Sequence, residues 1–260
     1  MPPVAALLLG SPFMTDASTT DDSRLEDDRL QFAVQTTGMD TNSYLLHDPR
    51  SREAAIIDVP GPIGTLLAMI DRLHLDLRYF LFTHGHFDHL MGLPAIRARF
   101  PDAVVCMHGS DHADIPTQQE WARTHLDPEL LAELHRGPET RKLFLFDATT
   151  FGALDIEVEN GRQFTLGRHT LTALHSPGHS PGSVCFAAPG LLFSGDVLFR
   201  DSVGRVDVMH SSREAQIRSV RRLYRELPDE TLVLPGHGPS TSVGREKREN
   251  SRISADRVDL

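Results

Sequence analysis

The chain has 260 residues, 40% hydrophobic and 24% charged, an ordinary globular composition with enough apolar material for one large core. Its formal charge of −10 argues against a long basic track for nucleic acid. Two cysteines cannot build a disulfide framework, so Cys106 and Cys185, each in an apolar run, read as small core residues of a cytoplasmic protein.

The first apolar run, residues 4–9, is far shorter than the ~20 residues a membrane-crossing helix needs, and no basic residue precedes it to make a signal peptide. Residues 15–28 are rich in Ser, Thr and Asp, so 1–29 are expected to form a disordered tail and 30–260 one folded domain. Residues 30–36, 43–47 and 54–59 read as short strands, the last an apolar run carrying Asp58 near its end. Pro60-Gly61 breaks the chain before a helix over 63–75, with Leu66, Leu67, Ile70 and Leu73 at helical spacing. A strand over 79–82 runs straight into Thr83-His84-Gly85-His86, and a helix over 90–100 and a strand over 103–107 follow. Residues 109–150 read as polar and irregular, with a helix near 128–135, and are expected to cover the active site as a loop.

Strands resume at 163–166, 170–175, 183–187 and 191–194. The clearest helix is 211–226, where Ser211 and Glu214 fit a capping box and Ile217, Val220, Leu223, Tyr224 and Leu227 form an apolar face. Arg218, Arg221, Arg222 and Arg225 read as its solvated side, the alternative being a local basic patch. A strand over 231–234 follows. Strands in groups with interspersed helices point to a layered α/β protein.

The chemistry concentrates at strand ends. T-H-G-H-F-D-H (83–89) places three imidazoles and a carboxylate within six residues, directly after an apolar strand. Imidazole with carboxylate suits zinc and related divalent metals, and a carboxylate beside histidines asks for a cation. The bland alternative is a polar surface loop, but further ligand types follow other strands. They are His179 in S-P-G-H-S-P-G-S (176–183), Asp196 in F-S-G-D (193–196) and His237 in P-G-H-G (235–238). Each follows the C-terminal end of an expected strand beside glycine, the edge where ligands gather in α/β sheets. Asp58, also at a strand end, is expected to orient a metal-bound histidine.

This H-x-H-x-D-H motif with the later His, Asp and His resembles the ligand series of the metallo-β-lactamase superfamily, over about residues 31–250. The resemblance implies an αββα sandwich of two mixed β-sheets flanked by helices. It implies two divalent metal ions per chain, zinc first, with iron or manganese as alternatives. His84, His86 and His179 would hold one ion, Asp88, His89 and His237 the other, and Asp196 would bridge them. Such a pair lowers the pKa of a shared water from ~15.7 towards neutrality, giving a hydroxide that attacks a carbonyl or phosphorus. Asp88 would orient it and relay a proton to the leaving group.

The expected partner is a small-molecule substrate, with neither nucleic acid nor membrane. True β-lactamases of the superfamily lack the bridging Asp, and nuclease relatives usually carry extra segments, so both are disfavoured. Residues 198–207 and 236–250 are similar to short hydrolases of the glyoxalase II group, which cleave hydroxyacyl-glutathione thioesters. That resemblance assigns Arg205, Arg245, Lys247 and Arg248 to the carboxylates of glutathione, the alternative for residues 245–248 being a solvated tail. Two departures stand against it. Val206-Asp207 replaces the group's aromatic-Glu pair, and its long C-terminal helical region is missing. A lactonase or other ester hydrolase on the same site, and an iron-dependent redox or sulfur-metabolising relative, are the alternatives.

Overall fold

A computed structural model describes residues 28–125, 151–254 and 258. The expected tail (1–29) and the expected helix near 128–135 fall almost wholly outside these residues. One sheet has the order β1 (Gln31–Thr36), β2 (Asn42–His47), β3 (Glu53–Ile57), β4 (Asp76–Leu81), β5 (Val104–Met107) and β6 (Ile156–Glu157). β1 to β3 run antiparallel and β3 to β6 parallel. The second sheet holds β7 (Gln163–Leu166), β8 (His169–His175), β9 (Val184–Ala188), β10 (Leu191–Gly195), β13 (Leu232–Pro235) and β14 (Thr241–Ser242). There β10 and β13 pair in parallel and the other neighbours are antiparallel. β11 (Leu198–Phe199) and β12 (Ser202–Val203) form a small separate ribbon.

The period-two alternation of strand side chains builds three apolar layers. In β3, Ala54 and Ile56 point to helices α1 (Gly64–Leu73) and α3 (Leu93–Arg97), while Ala55 and Ile57 point to the second sheet. In that sheet Phe186 and Phe193 meet them, and Cys185 and Leu192 turn away towards α5 (Arg213–Glu226) and α6 (Val243–Glu249). Helices therefore cover both outer faces of two mixed sheets, the sandwich expected from sequence. Each fully buried Leu, Ile or Phe contributes ~1.5–3 kcal/mol, so the middle layer alone ties the sheets firmly. Both cysteines lie in these layers as free, buried thiols, raised to about 12 by burial.

Several elements depart from expectation. The helix expected over 90–100 is two short pieces, α2 (Phe87–Leu90) and α3, because Gly92 sits against the backbone of Gly61. A Cβ on Gly92 would lie 2.6 Å from the Gly61 carbonyl oxygen. Residues 109–125, expected to be irregular, form helix α4 (Gly109–His125). It has no apolar stripe and carries Pro116, so periodicity could not find it. The cap of α5 is Ser212, whose side chain accepts from Ala215 N at 3.3 Å, while Ser211 donates to Val208 O. Helix α6 and the two-residue strands were not anticipated. Among the described residues no helix is long and apolar enough to cross a membrane.

Candidate metal centre

Five strand ends meet at one edge of the sandwich. Asp58 follows β3, the 82–89 loop follows β4, and the loops carrying His179, Asp196 and His237 follow β8, β10 and β13. Backbone hydrogen bonds stitch them together: Val184 N to Thr83 O (2.8 Å), Gly236 N to Gly195 O (2.9 Å) and Asn42 N to Gly236 O (2.7 Å). Glycine is required where the loops come closest. Gly195 has φ +49° and packs on Thr83, and a Cβ on Gly236 would lie 2.3 Å from Asp196 Oδ1.

The structure brings all seven expected ligands into one cluster. Three groups have their candidate ligand atoms within 4.8 Å of one another: His84 with His86 and His179, His84 with His89 and Asp196, and Asp88 with His89 and His237. Asp196 touches both ends of the cluster, 3.4 Å from His179 Nε2 through Oδ2 and 3.4 Å from His89 Nε2 through Oδ1.

The outer nitrogens are engaged, and this aims the inner ones. His179 Nδ1 donates to Arg205 O at 2.9 Å, and His89 Nδ1 to Asp58 Oδ2 at 2.8 Å. Thr83 Oγ1 donates to Asp58 Oδ2 at 2.7 Å, so it can accept from His84 Nδ1 at 3.1 Å. These networks leave the Nε2 atoms of all three facing the centre. Asp58 itself holds φ +57°, an unusual conformation for a residue with a side chain, and takes a third bond from Thr83 N.

The electrostatics of the cluster follow from burial and from its carboxylates. Burial pushes the His86 and His179 imidazoles down to about 4 and His84 well below its usual value. For His89, burial also favours the neutral ring, but Asp196, Asp88 and Asp58 outweigh it and raise the imidazole to about 10. Burial pushes Asp88 up, yet His89 and His237 hold it far below the carboxylate range. The carboxylates thus draw positive charge to this point. His84 Nε2 and Asp196 Oδ1 are buried without a hydrogen-bond partner among the described residues, and such atoms are costly unless something binds them. Buried lone pairs from imidazole and carboxylate fit divalent metal.

The four basic residues lie elsewhere and are paired. Arg205, whose carbonyl receives His179, extends on the surface in a two-bond contact with Asp207. Arg245 grips Asp201 and contacts Glu246, while Lys247 and Arg248 both face Asp229. Glu246 is fully buried and accepts from Thr241 Oγ1, Asp201 N and Asn250 Nδ2, so the C-terminal helix clasps the β11–β12 ribbon.

Sequence reasoning missed the polar side chains that hold the loops in place. Buried Gln216 on α5 accepts from His179 N at 2.9 Å and donates to Val197 O at 2.7 Å, fixing His179 beside Asp196. Asn42 and Tyr44 donate to Pro235 O, just before His237. Asp111 on α4 accepts from Gly85 N, Ser180 Oγ and Gly182 N. A polar residue within an otherwise apolar helix face, as Gln216 is beside Val220 and Leu223, is the one available signal.

Residues 36–237 match the metallo-beta-lactamase superfamily. The hydroxyacylglutathione hydrolase GloC of Haemophilus influenzae is 30% identical over 232 residues, 85% of this chain and 97% of its own. The crystal structure of the BLEG-1 B3 metallo-beta-lactamase is similar with a TM-score of 0.64 at 32% identity, covering 85% of this chain and 98% of that one. The crystal structure of TTHA1623 in a di-iron-bound form gives 0.65 at 33%, covering 84% and 98%.

Proposed function

The chain belongs to the metallo-beta-lactamase superfamily, and on that premise we propose that it is a dinuclear metal-dependent hydrolase acting on a thioester of the hydroxyacyl-glutathione kind. The observation that carries the reading is the convergence of imidazole and carboxylate ligand atoms from five strand ends, with His84 Nε2 and Asp196 Oδ1 buried and without a hydrogen-bond partner among the described residues. His84, His86 and His179 would hold one ion, Asp88, His89 and His237 the other, with Asp196 shared. When bound, such ions lower the pKa of water and polarise a carbonyl oxygen.

The chain's own residues do the rest. Asp58 fixes the His89 ring directly and the His84 ring through Thr83, so neither can turn its lone pair away. Asp88 is the partly exposed carboxylate of the group, and Thr41 Oγ1 steadies its Oδ2 at 3.4 Å. Asp88 would take a proton from the attacking water and pass it to the leaving group. Arg205, whose backbone carbonyl accepts from His179, is the basic residue linked most directly to the cluster, and its side chain extends on the surface beside it. Its exposed pair with Asp207 costs little to exchange for a glutathione carboxylate.

The thioester reading is supported by the 30% identity to a hydroxyacylglutathione hydrolase across nearly its whole length. The test is metal analysis followed by turnover of S-lactoylglutathione, a simple lactone, an aryl ester and nitrocefin. Two equivalents of metal and the highest kcat/KM on the thioester are expected. Arg205→Ala should raise KM a few-fold on that substrate alone. Turnover of the lactone or nitrocefin without the thioester would overturn the substrate assignment. A second reading, an iron-dependent relative with redox chemistry, is favoured by the di-iron form of TTHA1623. Hydrolysis proceeds without oxygen, so oxygen uptake by the iron-loaded protein would select that reading instead.

A further inference from the structure

Asp111 is buried, has no place in the ligand set and lies in the first turn of α4, its N–H donating to the carbonyl of His108 just before that helix. Its carboxylate faces two loops that are far apart in sequence. Oδ2 accepts from Gly85 N at 2.9 Å, between His84 and His86, and from Ser180 Oγ at 2.6 Å, next to His179. Oδ1 accepts from Gly182 N at 2.5 Å in the same second loop.

From this geometry we propose that Asp111 is a positioning residue. It holds the His84–His86 loop and the His179 loop at a fixed separation and so sets the affinity of the ion those three histidines share. The inference rests on the dinuclear reading above.

The residue type is dictated at each contact. Three donors converge on two oxygens, so a carboxylate satisfies them all and an amide cannot, because its nitrogen would face an N–H on either side. The hydroxyl directions are fixed as well. Ser183 Oγ accepts from Ser180 N at 3.1 Å and donates to Ser180 Oγ at 2.7 Å, which frees the Ser180 hydrogen for Asp111. Both loops need glycine for the approach. A Cβ at Gly85 would lie 2.9 Å from the Asp111 carbonyl oxygen, and one at Gly182 would lie 2.6 Å from Oδ1.

The consequence is local. His86 Nδ1 and His179 Nε2 already lie 2.9 Å apart across the seam that Asp111 closes. Metal–ligand distances tolerate only about 0.2 Å, so the seam must be held before an ion binds well. The Asp88, His89 and His237 group is supported differently, by Asp58 on His89 and by Asn42 and Tyr44 on the chain before His237. Loss of Asp111 should therefore weaken one ion and spare the other.

The experiment titrates the full-length, metal-free protein with Co2+ against a chromophoric chelator. The visible bands separate the three-imidazole site from the site with two imidazoles and a carboxylate. Asp111→Asn is expected to weaken the three-imidazole equivalent by about 10–100-fold, the range typical for supporting residues of metal ligands. The other equivalent should stay within about 3-fold. Ser180→Ala, which removes one donor and no charge, should weaken the same equivalent by less. Unchanged affinities, or equal weakening of both equivalents, in folded Asp111→Asn would overturn the proposal. Should that variant not fold, an unchanged three-imidazole site in Ser180→Ala would overturn it. A wild-type protein that takes up one ion refutes the dinuclear reading separately, and Asp111 is then judged on whether that ion is weakened.

Discussion

Glu246 shows how a single buried carboxylate holds the C-terminal helix, and its replacement gives a graded test. In the native chain Oε1 accepts from Thr241 Oγ1 and Arg245 Nη1, and Oε2 from Asp201 N and Asn250 Nδ2, both at 2.8 Å. Asn250 cannot turn to compensate, because its oxygen already accepts from Arg252 N and Ile253 N at 2.9 Å. In Glu246→Gln the best orientation keeps the amide oxygen on Asp201 and Asn250 and turns the nitrogen to Thr241, which can accept. Two charge-assisted bonds become neutral ones, at about 1 kcal/mol each, and the contact with Arg245 Nη1 is lost at little cost because that partly exposed guanidinium keeps Asp201, so the expected loss is about 2 kcal/mol. Glu246→Ala leaves Asp201 N and Thr241 Oγ1 buried without an acceptor, and at ~1–3 kcal/mol each the expected loss is about 4 kcal/mol. The assay is urea and thermal unfolding of the metal-free, full-length protein at neutral pH. At ~2–4 °C per kcal/mol for a chain of this size, melting should fall by roughly 4–8 °C and 8–16 °C. Losses below ~1 kcal/mol in both variants, or a larger loss for Gln than for Ala, would refute the hydrogen-bond reasoning.

Asp196→Ala is expected to abolish turnover while leaving the metal-free protein folded with a modest loss of stability, because Asp58 and Asp88 remain beside the charged His89 when Asp196 is gone. Calorimetry of both metal-free proteins checks this, and a large drop in melting temperature would contradict it. For Asp48, burial pushes the carboxyl up, but backbone N–H donors from Arg50 and Ser51 outweigh it and hold it below its usual value. Its stabilisation is therefore present at neutral pH and lost as pH falls through the lowered folded value. Asp48→Asn should cost about 1 kcal/mol at pH 7, and the gap should close in acid, as urea titrations at several pH values would register.

What the sequence disclosed follows from how locally each feature is encoded. That His84, His86, Asp88, His89, His179, Asp196 and His237 gather at one edge was readable because each lies just past an apolar strand with glycine close by, signals carried within a few residues. The sandwich was readable through the family motif and the alternation of strands such as β3. Asp111 was not, because its partners are 26, 69 and 71 residues away and nothing near it marks a ligand. The pairing of Arg245, Lys247 and Arg248 was not legible, since Asp201 and Asp229 meet that segment only in three dimensions. The capping residue of α5 was displaced by one position because Ser211 and Ser212 are chemically equivalent in a linear reading.

The cluster straddles the two sheets unevenly: His84, His86, Asp88 and His89 belong to the β4 side, and His179, Asp196 and His237 to the β8, β10 and β13 side. A chain divided between residues 125 and 151 would give each fragment an incomplete coordination set. The first carries four of the seven ligands and the second three, while β6 of the second completes the sheet of the first. Under the dinuclear reading, neither fragment could assemble the centre alone. Recovered hydrolysis would then act as a reporter of reunion between the halves, with the ions serving as a reversible adhesive that a chelator dissolves.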